Sequence, residues 1–375
     1  MMAGDGQRVN VQRDIFRVGS RKSELAQIQT NYVIECLKKL YPDKKFEKVL
    51  MSTKGDKVLN ISLPKIGEKA LFTQELELAL ENGRIDFVVH SLKDLPTSLP
   101  DGLALGAIMK REDPRDAVVM SKVNSTKTLK TLPKGSIIGT SSLRRSAQLS
   151  KNLPHLEVKS IRGNLNTRLK KLDESDKIDN TKIVENDEYN YSAIILAVAG
   201  LNRMQWSDRI SEILDSDDAL YAVGQGALGI ECRENDFDIL KILEPLNDVE
   251  STLRCICERS FLKKLGGGCS APVGVSTTLE NKKLTITGAV WSLNGDTMIK
   301  DTMDCKLYLR DDDGEPPQKC PYREPRLYCS VVPGKVSGMS LLVAENLGED
   351  LAQSLIEKNA LEIMSKARET ILSTI

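Results

Sequence analysis

Arg144 and Arg145 directly follow Thr140-Ser141-Ser142 and Leu143. A hydroxyl run ahead of an apolar-periodic segment is a helix cap. The first turn of a helix presents free N–H groups and the positive end of its dipole to anions. Guanidinium forks placed there suit carboxylate or phosphate, which they grip bidentately. Arg162 stands before a turn glycine, Gly163, and Arg21-Lys22 repeats the arrangement after Gly19. Between 139 and 168 the chain carries Arg144, Arg145, Lys151, Lys159, Arg162 and Arg168 against Glu157 alone. A solvated basic face is the bland meaning of such a run. The cap and turn placements point instead to a polyanionic small ligand in a cleft.

Asp94 follows the apolar stretch 84–90 in a loop stiffened by Pro96. Strand ends of α/β sheets are where ligands bind, and an acid there beside Lys93 can move a proton or stabilise a cation. The same position suits an aspartate bonding its own loop backbone, and position alone does not separate the two. Cys269 lies in Leu265-Gly266-Gly267-Gly268-Cys269-Ser270. Three glycines let the backbone bring a thiol close to a ligand, although on its own the residue reads as a buried structural cysteine. Gly224-Gln225-Gly226-Ala227-Leu228-Gly229 is a formal GxGxxG. A dinucleotide site needs a strand before that motif and a helix opening on it. Here 229–233 reads as extended and helical spacing resumes near Asp236, so a turn with close backbone packing is expected. Cys255 and Cys257, two apart on a predicted helix, should face different sides, one core and one surface.

The elements that must position these residues follow from periodicity. Residues 15–20, 46–52 and 84–90 read as strands, and 25–40 and 72–82 as helices, a βαβα order that marks an α/β lobe with a largely parallel sheet. The pattern recurs with strands at 136–139 and 192–198 and a helix after Ser142. FRVGSRKSELAQ and IIGTSSLRRSAQ share one logic of strand, glycine, hydroxyl and basic helix start, so two similar lobes facing a cleft are expected. A third unit has helical spacing from Val249 to Leu265, antiparallel alternation over 273–308, and two amphipathic helices from Leu341 onward, broken near Asn359. The acid-rich stretch 172–188 and the charged, Pro-rich stretch 310–326 read as solvated insertions.

The chain has 375 residues, with 53 Lys+Arg against 53 Asp+Glu, a formal net charge of zero. That argues against coating nucleic acid, which needs a dominant basic field. No apolar run reaches a membrane span, and the polar stretch 1–14 lacks the apolar core of a secretory signal. A cytoplasmic, monomeric protein with reduced thiols is expected. His90 and His155 are the only histidines, too few for a multi-histidine metal site, and no metal is expected.

Together these segments resemble the porphobilinogen deaminase (hydroxymethylbilane synthase) family. The matching stretches are RVGSRKSELAQIQT (17–30), TKGD (53–56), GEKALFTQELE (67–77), VVHSLKDLPT (88–97), GTSSLRRSAQL (139–149), IRGNLNTRL (161–169), ILAVAGLNRM (195–204), YAVGQGALGIECR (221–233) and LGGGCSAPVG (265–274). They run in family order along nearly the whole chain. The resemblance implies an α/β fold with two periplasmic-binding-protein-like lobes around a cleft, plus a smaller α+β C-terminal domain. The implied domains are 1–111 with 224–247, then 112–223, then 248–375, the chain crossing between lobes twice.

The resemblance also implies a transferase of tetrapyrrole (haem) biosynthesis. It joins four porphobilinogen molecules head to tail, with loss of ammonia, into linear hydroxymethylbilane. Cys269 matches the attachment point of a dipyrromethane cofactor held by a thioether, and Asp94 matches the catalytic aspartate. Lys93, Thr140, Ser141, Ser142, Arg144, Arg145, Arg162, Gly163 and Arg168 fall on cofactor-binding positions. Arg21, Ser23, Arg168 and Arg203 fall on substrate-binding positions. Two cofactor units and four substrate units bring twelve carboxylates into one cleft, which would account for the arginines. The competing class is a two-lobed binding protein for a small anion without catalysis, which leaves the Gly-Gly-Gly-Cys loop and the third unit unexplained. A nucleotide-dependent oxidoreductase would rest on GQGALG alone.

Overall fold

The computed structural model describes residues 13–53, 73–175, 190–216, 219–266, 272–307 and 326–373. The first lobe begins with β1 (Ile15–Arg21), α1 (Glu24–Leu40) and β2 (Lys45–Met51). In α1 the buried residues Thr30, Val33, Ile34 and Leu37 form a stripe, with Glu24 in the first turn and Lys38 and Lys39 in the last. The stripe faces the sheet and the charges complement the dipole. Then come α2 (Gln74–Glu81), β3 (Phe87–Ser91) and β4 (Leu103–Ile108).

The chain crosses into the second lobe with β5 (Asp116–Met120), β6 (Ile137–Gly139), α3 (Leu143–Asn152), β7 (Glu157–Lys159) and α4 (Leu165–Ser175). β8 (Tyr191–Ala197), α5 (Val198–Arg203) and β9 (Glu212–Ile213) complete it. The chain then returns to the first lobe as β10 (Leu228–Arg233) and α6 (Phe237–Leu243).

The two sheets have one topology. The first runs β2-β1-β3-β10-β4 and the second β7-β6-β8-β5-β9. In each, three parallel strands are followed by an antiparallel one. That antiparallel strand is the exchanged one: β5 enters the second lobe straight after the first crossover, and β10 enters the first lobe straight after the second. The two like lobes expected from FRVGSRKSELAQ and IIGTSSLRRSAQ are thus present, each built around a strand leading into a helix; β6 ends at Gly139, whereas β1 runs past Gly19 to Arg21, where its pairing with β2 continues.

The third unit has α7 (Val249–Lys264), β11 (Val273–Glu280), β12 (Lys283–Trp291), β13 (Met298–Lys306), α8 (Gly338–Glu357) and α9 (Ala360–Ser373). Its three strands are antiparallel in the order β11-β12-β13. α7 and α8 touch closely at Gly348, where a Cβ would fall 2.1 Å from the Cys257 carbonyl oxygen. The break between α8 and α9 falls at Asn359, in a left-handed conformation that asparagine tolerates well.

Two expectations are corrected. Cys255 and Cys257 are both fully buried, because α7 is enclosed on all sides rather than amphipathic: β11, β12, α8 and β4 all pack against it. The acid-rich stretch does not begin as a solvated loop either. Residues 172–175 are the last turn of α4, with Leu172 and Ser175 buried and Asp173 paired to Arg209 at 2.6 Å. The remainder of that stretch, residues 310–325 and the N-terminal stretch 1–12 lie outside the described residues. No helix among the described residues is long and apolar enough to cross a membrane.

Candidate active site

β3 ends at Ser91 and turns at once through Leu92–Asp94, a single 3-10 turn. Leu92 and Leu95 point into the core while Asp94 is exposed. The apolar pair fixes the loop, and the acid is turned outward. Across from it, Ser142 caps α3, its hydroxyl accepting from the Arg145 N–H at 3.4 Å. The cap expected from Thr140-Ser141-Ser142 is formed: Thr140 Oγ1 accepts from the Ser142 N–H at 3.2 Å. Ser141 Oγ donates to the Ile161 carbonyl at 2.6 Å.

The arginines that follow are held by a residue the sequence analysis did not single out. Asp116 opens β5. Its carboxylate accepts from Arg144 Nη1 at 2.8 Å, Arg145 Nη2 at 2.6 Å and Gln225 Nε2 at 2.8 Å. Burial would raise the Asp116 carboxyl, yet the two guanidiniums hold it well below the usual carboxylate range. Arg144 Nη1 also donates to the Leu220 carbonyl at 2.7 Å, and Arg145 Nη1 to the Ile195 carbonyl at 2.9 Å. Arg145 Nε is buried with no acceptor among the described residues. The sequence signal was an acid heading the apolar run Ala117–Met120, a polar residue that a strand end buries only when something pairs with it.

Lys93 ties the two sides together. Its Nζ donates to Gln225 Oε1 at 3.4 Å, and Gln225 in turn reaches Asp116 and the Pro114 carbonyl. Part of Lys93 stays open to the cleft, but its ammonium is deep enough that burial pushes it down to about 8. Arg145 and Arg144 push the same way, while Asp94 and Asp116 oppose. Burial also pushes Arg168, on α4, down to about 10; Arg145 adds to the shift and Asp94 opposes it. Residues from both lobes therefore share one field, in which Lys93, Arg144, Arg145 and Arg168 face Asp94 and Asp116. The cations outnumber the carboxylates, and desolvated like charges so crowded are relieved by an anion.

Arg162 lies before Gly163, whose φ of +109° is a glycine conformation. Arg162 Nε donates to Ser160 Oγ at 3.3 Å, and Arg168 Nε to the Gly163 carbonyl at 2.9 Å, so the turn and α4 support each other. In the first lobe Arg21 ends β1, and Ser23 precedes α1 as its N-cap without a capping bond from its hydroxyl. Arg203 is partly committed elsewhere. Its Nε donates to Glu112 at 2.9 Å and its Nη2 to the Gly226 carbonyl at 2.7 Å, bridging the two crossovers, while Nη1 has no partner among the described residues. Cys269 lies outside the described residues; α7 leads to it and ends at Lys264.

GQGALG forms a turn, as its context required. Gly224 and Gly226 have φ of +72° and +86°, and a Cβ on Gly226 would fall 2.5 Å from the Glu112 carbonyl oxygen. The next helix, α6, starts only after β10, so no phosphate-cradling strand–loop–helix exists there. The two crossovers are pinned beside this turn by a buried pair that also escaped the sequence analysis. Arg111 donates to both oxygens of Glu258 at 2.6 and 3.0 Å, and Glu258 accepts from the Gly224 N–H at 2.8 Å.

Comparison with known proteins shows the family. Residues 16–241 match the family profile described as porphobilinogen deaminase, dipyromethane cofactor binding domain, and residues 252–316 match the porphobilinogen deaminase C-terminal domain. The chain is 50% identical over 295 residues to the porphobilinogen deaminase of Nostoc sp., covering 79% of this chain and 87% of the relative. It is 50% identical over 286 residues to that of Synechococcus elongatus, covering 76% and 85%. Solved structures are more distant. The periplasmic aliphatic sulphonate binding protein of Escherichia coli is 15% identical with a TM-score of 0.34, covering 69% of this chain and 76% of that one. Half-identity sustained across both lobes and into the third unit, with a single family profile spanning the cleft, places this chain in the porphobilinogen deaminase family.

Proposed function

We propose that this chain joins four porphobilinogen molecules head to tail into hydroxymethylbilane, with Asp94 as the catalytic carboxylate. The observation that carries the reading is the exposed Asp94 carboxylate set among buried and half-buried cations from both lobes. In each addition the aminomethyl C–N bond breaks and ammonia leaves. A bond forms from that methylene carbon to a free pyrrole α-carbon, and the α-carbon gives up its proton. Asp94 stabilises the positive charge that develops as ammonia departs. It also gives and takes the protons at the amine and the α-carbon. Water releases the linear product.

The dipyrromethane cofactor fits the residues present. Among the described residues Arg145 Nε is a buried donor without an acceptor, and the surrounding cations exceed their carboxylates. When bound, the cofactor supplies the free pyrrole α-carbon to which the first substrate unit is joined. Cys269 would carry it by a thioether. Lys93, Arg144, Arg145, Arg162 and Arg168 would hold its carboxylates, with Thr140, Ser141, Ser142 and Gly163 shaping the wall. Arg21, Ser23, Arg168 and the Nη1 of Arg203 would receive substrate carboxylates.

The reading includes three domains, 1–111 with 224–247, 112–223 and 248–375, and movement of the lobes about the crossovers near 111 and 224. It also includes a monomer acting in the cytoplasm without membrane partners and without nucleic-acid partners, the last of which the balanced net charge supports. Ammonia release tests the central role. Asp94→Asn should lose at least about 100-fold in kcat, the scale of a lost general acid–base group, while keeping its thermal midpoint. Wild-type turnover by folded Asp94→Asn would refute it.

A further inference from the structure

Arg259 is 1% exposed, in the middle of α7. Its Nη2 donates to the Pro96 carbonyl at 2.7 Å, and its Nη2 and Nε donate to the Cys329 carbonyl at 3.2 and 3.3 Å. Pro96 lies two residues beyond Asp94. The third unit thus reaches under the Asp94 loop with a buried, rigid fork, a side chain costly to enclose unless its donors are used.

Two further contacts tie the same loop down, and a third holds the strand β4 that follows it. Leu92 and Leu95 belong to one apolar cluster with Phe261, Leu262 and Leu265 of the α7 segment. The Leu99 N–H donates to Ser330 Oγ at 3.0 Å, and the Leu105 N–H to the Ser330 carbonyl at 2.8 Å. Cys329 and Ser330 have φ of +48° and +65°. Consecutive non-glycine residues in that region persist only where surroundings over-determine them. Here the turn aims one carbonyl at Arg259 and the next at the first lobe. Meanwhile α7 runs on to the segment bearing Cys269. One helix therefore both grips the loop of Asp94 and leads to the cysteine.

We propose that Arg259 is a positioning residue for the reaction: it registers the Asp94 loop against α7 of the third domain, so that Asp94 and α7 behave as one body. The proposal rests on the catalytic reading of Asp94 above. Lobe opening then has to displace the second lobe past a fixed Asp94, rather than separate Asp94 from the third domain.

The test measures kcat and KM for porphobilinogen by ammonia release, with cofactor loading read from intact mass. The variants are Arg259→Met, Arg259→Lys and Ser330→Gly, beside Asp94→Asn. Ser330→Gly removes the Leu99 acceptor while easing the left-handed turn, so it folds even if Arg259→Met does not. Expected are loaded proteins with KM within about threefold of wild type. The kcat should fall at least about 30-fold in Arg259→Met, less in Arg259→Lys, which keeps one donor to Pro96, and about 3- to 10-fold in Ser330→Gly. Wild-type kcat in Ser330→Gly, or a rise in KM at unchanged kcat in either variant, overturns the positioning role while a dead Asp94→Asn leaves the catalytic reading intact. A fully active Asp94→Asn overturns both.

Discussion

Asp116→Asn should destabilise the cofactor-free protein far more than the loaded one. The carboxylate is 1% exposed and accepts from Arg144, Arg145 and Gln225. Removing one partner of a buried ion pair costs about 3–5 kcal/mol, chiefly through the charge left behind. Here two guanidiniums lose their carboxylate, and the new amide turns a second donor toward them, which places the loss near the upper end, about 4–5 kcal/mol. For a chain of 375 residues that is a fall of roughly 5–6 °C in thermal midpoint. Cofactor carboxylates would supply counter-charge to the same guanidiniums, so in loaded protein the loss should shrink to about half.

The pH dependence has a definite sign. A carboxyl held below its unfolded value adds stability above about pH 4 that disappears on acidification. The gap between wild type and variant should therefore narrow below about pH 4. Thermal unfolding by circular dichroism, in a Cys269→Ala background and in loaded protein, measures both terms. Equal shifts in the two forms, or a shift under about 2 °C in the cofactor-free form, would refute the view that Asp116 stands in for ligand charge.

Lys93 is pushed down to about 8 by burial, so its charged form is the strained one, and it loses its proton as pH rises through that value. An anionic ligand binds the charged form. Uptake of the anionic cofactor by cofactor-free protein should thus weaken by up to roughly tenfold between pH 7 and 9, with the slope absent in Lys93→Met. A flat profile in wild type, or the same slope in the variant, would contradict this. Burial pushes the Cys255 thiol up to about 11 and also raises Cys257 well above the ordinary thiol range. At pH 8 about 0.1% of Cys255 is thiolate, so both should resist alkylation in native protein and react on unfolding. Rapid native labelling, read by peptide mass, would show that α7 is not enclosed as described.

The lobes were legible because their signals are local. The strand–glycine–hydroxyl–basic runs and the Thr-Ser-Ser cap are short patterns, and β8 is a mostly apolar run that suits a buried central strand. The site was legible in part for the same reason: Arg144, Arg145, Arg162 and Asp94 sit at caps, turns and strand ends. What escaped is what pairs across the chain. Asp116 meets residues 28, 29 and 109 positions away, and Glu258 meets Arg111 from 147 away. No periodicity reports such a partner. Cys255 and Cys257 were misread because i,i+2 spacing separates two faces only on a helix with a solvent side, which α7 lacks. The first turn of the acid-rich stretch was misread because composition hid Leu172, an anchor of the second-lobe core.

Intact mass of the purified chain, after incubation with porphobilinogen and beside a Cys269→Ala control, tests the central claim most directly. Attachment through sulfur forms one C–S bond and one C–C bond, each with loss of one ammonia. The wild-type chain should therefore carry an excess equal to two porphobilinogen units less two ammonias, and Cys269→Ala should carry none. A wild-type chain that stays at bare polypeptide mass, or a Cys269→Ala chain with the same excess, would contradict the account.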